Sequence, residues 1–300
     1  MSRKFALMIL SILTIGAFFT SSVSAVNLLI EDFNAVAGTA ITTANWSAHS
    51  GAGTNPLVTS APGLTLAGYP SSGVGNAVTM ATSGEDANRV FAAQSSGSVY
   101  AAFMVTVSEA SVDPAGGYFF HLGPDPVGTT FRGRVFAKKD ASNNVAFGIS
   151  KAATAVADIA YTPFTFALNT TYLIVVKYTI VDGATNDTVS MFVSTTVPAT
   201  EPGSPTAVAT DIATQSDISP GTVSIRQGAA ATSPTVRVDG IRVGTDWESV
   251  TQAVAAADAP VDFDGDGKTD WGVARAAGGA GNQVTWVWNI KGLATPPAAS

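Results

Sequence analysis

The chain has 300 residues, 46% hydrophobic and only 12% charged, enough to bury one large core or a core with an appendage. Its formal net charge of −7 lacks the basic footprint that neutralises phosphates, which argues against a nucleic-acid partner. It has no cysteine, so thiol catalysis, Cys-ligated zinc and disulfide staples are excluded.

Residues 1–25 read as a signal peptide. Arg3 and Lys4 form a positive start, Phe5 to Phe19 an apolar run, and Val23-Ser24-Ala25 a small-residue cleavage pattern. The apolar run is shorter than the roughly 20 residues that span a bilayer. The expected protein is therefore secreted or held at a bacterial cell surface, and no later segment is apolar enough to span a membrane.

From residue 26 the pattern is one of strands. Val26 to Phe33 opens it, and Asn34 to Tyr69 holds short apolar islands among Gly, Thr and Pro, as short strands joined by surface loops do. Ala77 to Met80 and Arg89 to Phe91 are expected as short strands around a turn at Ser83 to Asn88. Val99, Ala101, Phe103, Val105 and Val107 share one face of a longer strand, and Gly116 to Leu122 gives another.

Period-two alternation is clearest between Phe131 and Val193, in FRGRVFAKKD, NNVAFGIS, TYLIVVKYTIVDG and DTVSMFVS. In the third run Tyr172, Ile174, Val176, Tyr178 and Ile180 lie on one face, read as core. The opposite face mixes Leu173 and Val175 with Lys177 and Thr179 and reads as partly wet. A proline-bearing stretch from Thr195 to Gly221 precedes two last strands, Thr222 to Gln227 and Val236 to Val243. The apolar phase slips by one at Asp239-Gly240, as a β-bulge makes it do.

About a dozen strands without a convincing helix predict an all-β, antiparallel two-sheet jelly-roll sandwich over 26–249. Residues 250–260 read as an Ala-rich linker or one short helix, 261–291 as a small C-terminal β module, and 292–300 as a disordered tail.

Two resemblances enter here. The blocks FRGRVFAKKD, FGISK, NTTYLIVVKYTIVDGATNDTVSMFV, EPGSPT, SIRQG and VRVDGIRVGTDW resemble the concanavalin A-like (LamG-like) lectin and glucanase class, from Asn27 to Trp247. That resemblance implies a jelly roll that is usually an accessory domain. VDFDGDGKTDWGVAR followed by VTWVWNIKG is similar to one FG-GAP or VCBS repeat. Such units normally come in tandem, because one alone cannot bury its own face.

Asp262, Asp264 and Asp266 stand at positions one, three and five of a loop. Gly267 follows at the turn, Lys268 offers a carbonyl at seven, and Asp270 stands at nine. Alternating oxygens at this spacing wrap a hard cation, so structural calcium is the expected cofactor; an acidic solvated turn is the alternative. Glu31 or Asp32 on the first strand with Asp239 on the last forms a second possible cation pair, against surface carboxylates as the plainer reading.

Arg132, Arg134 and Lys138 alternate along one strand with Phe136 among them, a pattern that fits the carboxylate or sulfate of a glycan or, more plainly, a solvated outer face. The sandwich glucanases use Glu-x-Asp-x-x-Glu, and the five glutamates here show no such spacing. His121 in YFFHLG is either a core histidine or a base working with Tyr118 or Tyr161. The sequence thus points to a secreted, non-catalytic binder of a polysaccharide or cell-surface ligand. A jelly-roll polysaccharide-degrading enzyme, glycosidase or lyase, and a structural surface or matrix component are the alternatives.

Overall fold

The computed structural model describes residues 27–81, 83–253, 271–276 and 284–289. Two antiparallel eight-stranded sheets face one another, giving the jelly-roll sandwich that the alternation predicts. The expected signal peptide at 1–25, the expected calcium loop at 262–270 with Asp262, Asp264, Asp266, Lys268 and Asp270, and the expected tail at 292–300 lie outside the described residues. Among the described residues, no helix is long and apolar enough to cross a membrane.

The first sheet runs β14 (Ala207–Val208), β13 (Thr188–Ser194), β12 (Thr171–Thr179), β6 (Ser98–Glu109), β16 (Thr235–Gly244), β4 (Ala77–Met80), β3 (Thr59–Ser60), and β1 (Asn27–Glu31) also pairs with β16. The second runs β10 (Ala160–Tyr161), β9 (Asn144–Ser150), β8 (Arg132–Lys139), β7 (Gly117–Gly123), β15 (Thr222–Ile225), β5 (Asp86–Val90), β2 (Ser47–Ser50), with β11 (Phe166–Ala167) also on β9. A separate antiparallel pair, β17 (Trp271–Ala276) and β18 (Val284–Asn289), follows in the chain.

The core lies between the two layers. Phe103 on β6 stacks on Phe120 of β7 at 4.3 Å between ring centroids and meets Phe119 edge-on at 6.3 Å. All three rings are buried. Tyr172, Ile174, Val176 and Tyr178 join this core, as their alternation predicts.

The other face of the first sheet departs from expectation. Leu173 and Val175, expected on a partly wet face, are buried in a second apolar cluster with Tyr100, Met104, Phe192 and Trp247. Trp247 begins α1 (Trp247–Thr251), whose N-terminus is closed by Asp246: its carboxylate accepts from the Ser249 amide at 2.8 Å. The short helix therefore starts within the span expected to be sandwich, and it covers apolar surface that alternation alone leaves exposed. Water reaches that face beyond it, where Lys177 pairs with Glu201 at 2.8 Å.

The expected turn between Ala77–Met80 and Arg89–Phe91 is also corrected. The second strand is Asp86–Val90, and the two pair with different neighbours in opposite sheets. A segment crossing between layers has the same turn residues as a hairpin, so local composition does not separate the two.

Candidate functional site

The outer face of the second sheet is built from two rows of side chains running across the strands. Register places Ser47 beside Asn88, Asn88 beside Ser224 and Ser224 beside His121, and on the far side Arg134 beside Ser150. The next row contains Tyr118, Phe136, Gly148 and Tyr161 in register, with Arg226 and Asp86 continuing it. Gly148 is the seat of an aromatic: a Cβ there would stand 2.7 Å from the Tyr161 ring.

Two irregularities decide what reaches this face. On β7 the register shifts around Phe119, so the consecutive Phe119 and Phe120 both enter the core while Tyr118 and His121 emerge together, 6.1 Å apart between rings. On β8 the compensating irregularity is at Gly133, whose φ of +59° suits glycine. It turns Arg132 away from Arg134. Arg132 pairs in register with the core residue Leu122, and its guanidinium donates to the Ser216 carbonyl and hydroxyl, each at 2.6 Å.

The predicted set Arg132, Arg134, Phe136 and Lys138 is therefore not one solvated face. Arg132 is buried on the inner side, Phe136 is buried beneath its neighbours, and Lys138 lies 3.6 Å over the Tyr161 ring while donating to the Pro114 carbonyl at 2.9 Å. Only Arg134 stands at the centre, its guanidinium carbon 4.8 Å from the Tyr118 ring centroid. Sequence reasoning missed its partner, Arg226, which sits 4.1 Å from the same ring. Asp86 lies 3.7 Å from the Arg226 Nε, and burial pushes its pKa up to about 6.

Beside this pair lies a buried polar cluster. His49 from edge strand β2 reaches across to within 5.7 Å of both His121 and Phe131, and Phe131 covers His121 at 4.1 Å between ring centroids. His121 is fully buried, with Nδ1 3.2 Å from the Leu122 carbonyl and Nε2 without a partner. The Ser224 hydroxyl and Arg134 Nε are buried and unpartnered as well, and the half-buried His49 ring has the Asn88 side chain as its polar neighbour. Burial lowers the pKa of both imidazoles, that of His121 well below its ordinary value, with nearby Arg226 adding to the effect at each. Tyr161, the other predicted partner of His121, lies toward the far edge, where its hydroxyl donates to the Ala115 carbonyl at 2.6 Å.

The second cation pair is divided by the structure. β1 and β16 do pair, as expected of first and last strands. Glu31, however, is spent elsewhere: it accepts from the Phe33 amide and from Trp46 Nε1, each at 2.8 Å, and pairs with Arg89. Asp239 sits at the predicted bulge, beside Gly240 with φ +59°. Its carboxylate accepts from the Leu64 and Gly240 amides at 2.6 Å each. Asp32 is near enough to add to the upward shift of Asp239, and its Oδ1 is buried without a partner. Among the described residues no three His, Cys, Asp or Glu side chains gather as a metal site.

Burial pushes Asp239 from 3.8 up to about 7. A raised carboxylate pKa contributes stability that is complete below the unfolded value and lost as pH climbs through the folded one, on the order of 4 kcal/mol for this shift. Unfolding in urea at pH 5 and pH 8 should show the protein weaker at pH 8, and Asp239→Asn should remove much of that difference. A variant with the full parental slope would assign the effect to other groups.

No protein-family model matches the sequence, and no curated protein does. Solved structures match it distantly. The carbohydrate esterase vb_24B_21 from Shiga toxin-encoding bacteriophage phi24B aligns at 13% identity and a TM-score of 0.45, over 74% of this chain and 99% of that one. The endo-1,3-beta-glucanase from Streptomyces sioyaensis aligns at 13% identity and 0.41, over 74% and 97%. The Emp47p carbohydrate recognition domain aligns at 9% identity and 0.39, over 75% and 95%.

Proposed function

We propose that this is a secreted, non-catalytic carbohydrate-binding protein whose ligand lies on the outer face of the second sheet, with calcium held structurally by the loop at 262–270. The observation that carries the reading is the pair of guanidinium groups, Arg134 from β8 and Arg226 from just past the end of β15, gathered around one Tyr118 ring. Arginine's fixed fork of donors suits the hydroxyls and substituents of a sugar, and a ring holding two forks in place reduces the ordering cost of binding. Half-buried Tyr161 and Lys138 extend the face toward Phe164, which is 39% exposed. Export rests on the Arg3 to Ala25 pattern, and calcium on the spacing of Asp262, Asp264, Asp266 and Asp270.

A second reading, turnover with His121 as base and Tyr118 as acid, draws on the 6.1 Å between their rings. Against it, Tyr118 is engaged by two cations, Arg134 and Arg226. One incubation separates the readings: the protein, with calcium or chelator, is mixed with neutral and acidic polysaccharides while its depletion and the appearance of new chain ends are followed. Depletion without new ends is expected. New ends would establish an enzyme, and no depletion from any polysaccharide would remove both readings in favour of a structural surface component.

A further inference from the structure

We propose that the cluster of His49, His121, Ser224 and Arg134 is a subsite for the anionic substituent of a glycan, a carboxylate or a sulfate. This rests on the carbohydrate reading above and specifies its ligand class. Buried polar atoms are nearly always paired, because each one left alone has given up its bonds to water without replacement. Here the Ser224 hydroxyl, Arg134 Nε and His121 Nε2 go unpaired within one patch of one sheet, with the His49 ring beside them and Asn88 as its polar neighbour. Arg134 Nε can only donate, and a hydroxyl or imidazole can supply a donor, so an oxygen-rich acceptor satisfies them together. The charge balance agrees. Arg134 and Arg226 both act on His121, while Asp86 beside Arg226 is the carboxylate of this row.

The tautomer of His121 adds a consequence. Its Nδ1 faces the Leu122 carbonyl, which can only accept, so Nδ1 carries the proton and Nε2 of the neutral ring is a bare acceptor. Nε2 can donate to an anion only after taking a proton from solvent. An anion beside the ring favours that protonation, so occupancy and proton uptake are linked. The groups facing His121 are His49 from β2, Asn88 from β5, Ser224 from β15 with Arg226 just after it and Asp86 beside Arg226, Tyr118 from its own strand, and Arg134 from β8 with Phe131 just before it. Asp86, pushed up to about 6, titrates within the same range of pH, and its protonation would free Arg226 for the ligand. The half-buried Phe131 ring is the cover that a substituent must displace.

The test measures binding of polygalacturonate, a sulfated galactan and a neutral glucan by calorimetry at pH 6 and pH 8, in two buffers of different ionisation enthalpy. One linked proton gives at most about a tenfold change per pH unit. At least one acidic polymer should bind about fivefold or more tighter at pH 6, with net proton uptake, and the two acidic polymers distinguish carboxylate from sulfate. Asp86→Asn should keep most of this pH dependence, while His121→Gln should abolish it and leave weaker binding. Ser224→Ala, a smaller change that should leave folding intact, should weaken the acidic polymer about threefold or more and spare the neutral glucan. Neutral and acidic polymers bound alike without proton uptake would overturn the subsite but leave the carbohydrate reading standing; no binding of any polymer would overturn both. Loss of the pH dependence in Asp86→Asn would assign the proton to Asp86 and overturn the role of His121.

Discussion

Phe103→Ala should lower the free energy of unfolding by about 3–5 kcal/mol, the usual cost of emptying a fully buried phenylalanine site. Phe103 is where the two layers meet: its ring stacks on Phe120 at 4.3 Å and meets Phe119 edge-on. Both partners belong to the irregular stretch of β7 that also delivers Tyr118 and His121 to the outer face. The cavity therefore weakens the core and loosens the stretch that sets the binding face. Chemical denaturation should show a lower midpoint with an unchanged slope. A loss under about 1 kcal/mol would mean that the two layers close over the gap and that this contact does not hold them.

Asp217→Ala should cost a similar amount for a different reason. Lys151 has a fully buried side chain, and its ammonium pairs with Asp217 and also donates to the Ile212 carbonyl at 3.3 Å. The same carboxylate accepts from the Asn186 and Asp187 amides at 3.0 Å each. Removing it leaves a buried charge without its counter-ion, a change that costs about 3–5 kcal/mol in buried pairs. Next to it, Tyr178 donates to Asp187 at 2.6 Å, and Asp211 accepts from the Lys151, Ala152 and Ala153 amides. This network ties the segments at 151–153, 186–187 and 211–217 to one another, so the variant should also lose protection from proteolysis near Ser216. A midpoint equal to the parent's would show that water reaches the Lys151 ammonium.

Much of the scaffold was legible because it follows from period two. The long runs on β6, β9, β12 and β13 are written in alternation, and the bulge at Asp239-Gly240 in a slip of its phase. The binding face was only partly legible, because it depends on irregularities that alternation hides. In GYFFHLG strict alternation would put Tyr118 and His121 on opposite faces, and only the shift at Phe119 unites them. Two consecutive phenylalanines in a strand otherwise alternating were the available signal. In FRGRVF the same logic grouped Arg132 with Arg134, and the glycine between them was the sign that the phase could turn. Arg226, just past β15, and His49, on β2, come from segments distant in sequence, so their approach to Tyr118 and His121 is a product of sheet order that no local pattern carries. The burial of Leu173 and Val175 likewise needed Trp247 and the proline-rich stretch around Pro198, which meet through the Trp247 Nε1 bond to the Pro198 carbonyl at 3.0 Å.

The most direct measurement is the binding isotherm of whichever polysaccharide retains the protein, compared between the parent, Arg134→Ala and Lys177→Ala. Arg134 stands at the centre of the second sheet's outer face, whereas Lys177 lies on the first sheet and is paired with Glu201. Truncating a central arginine anchor costs about 2 kcal/mol or more, which is about thirtyfold in affinity. Arg134→Ala should weaken binding by about that factor and Lys177→Ala should leave it unchanged. Equal binding by the parent and Arg134→Ala, or a loss confined to Lys177→Ala, would place the ligand elsewhere and contradict the assignment of this face.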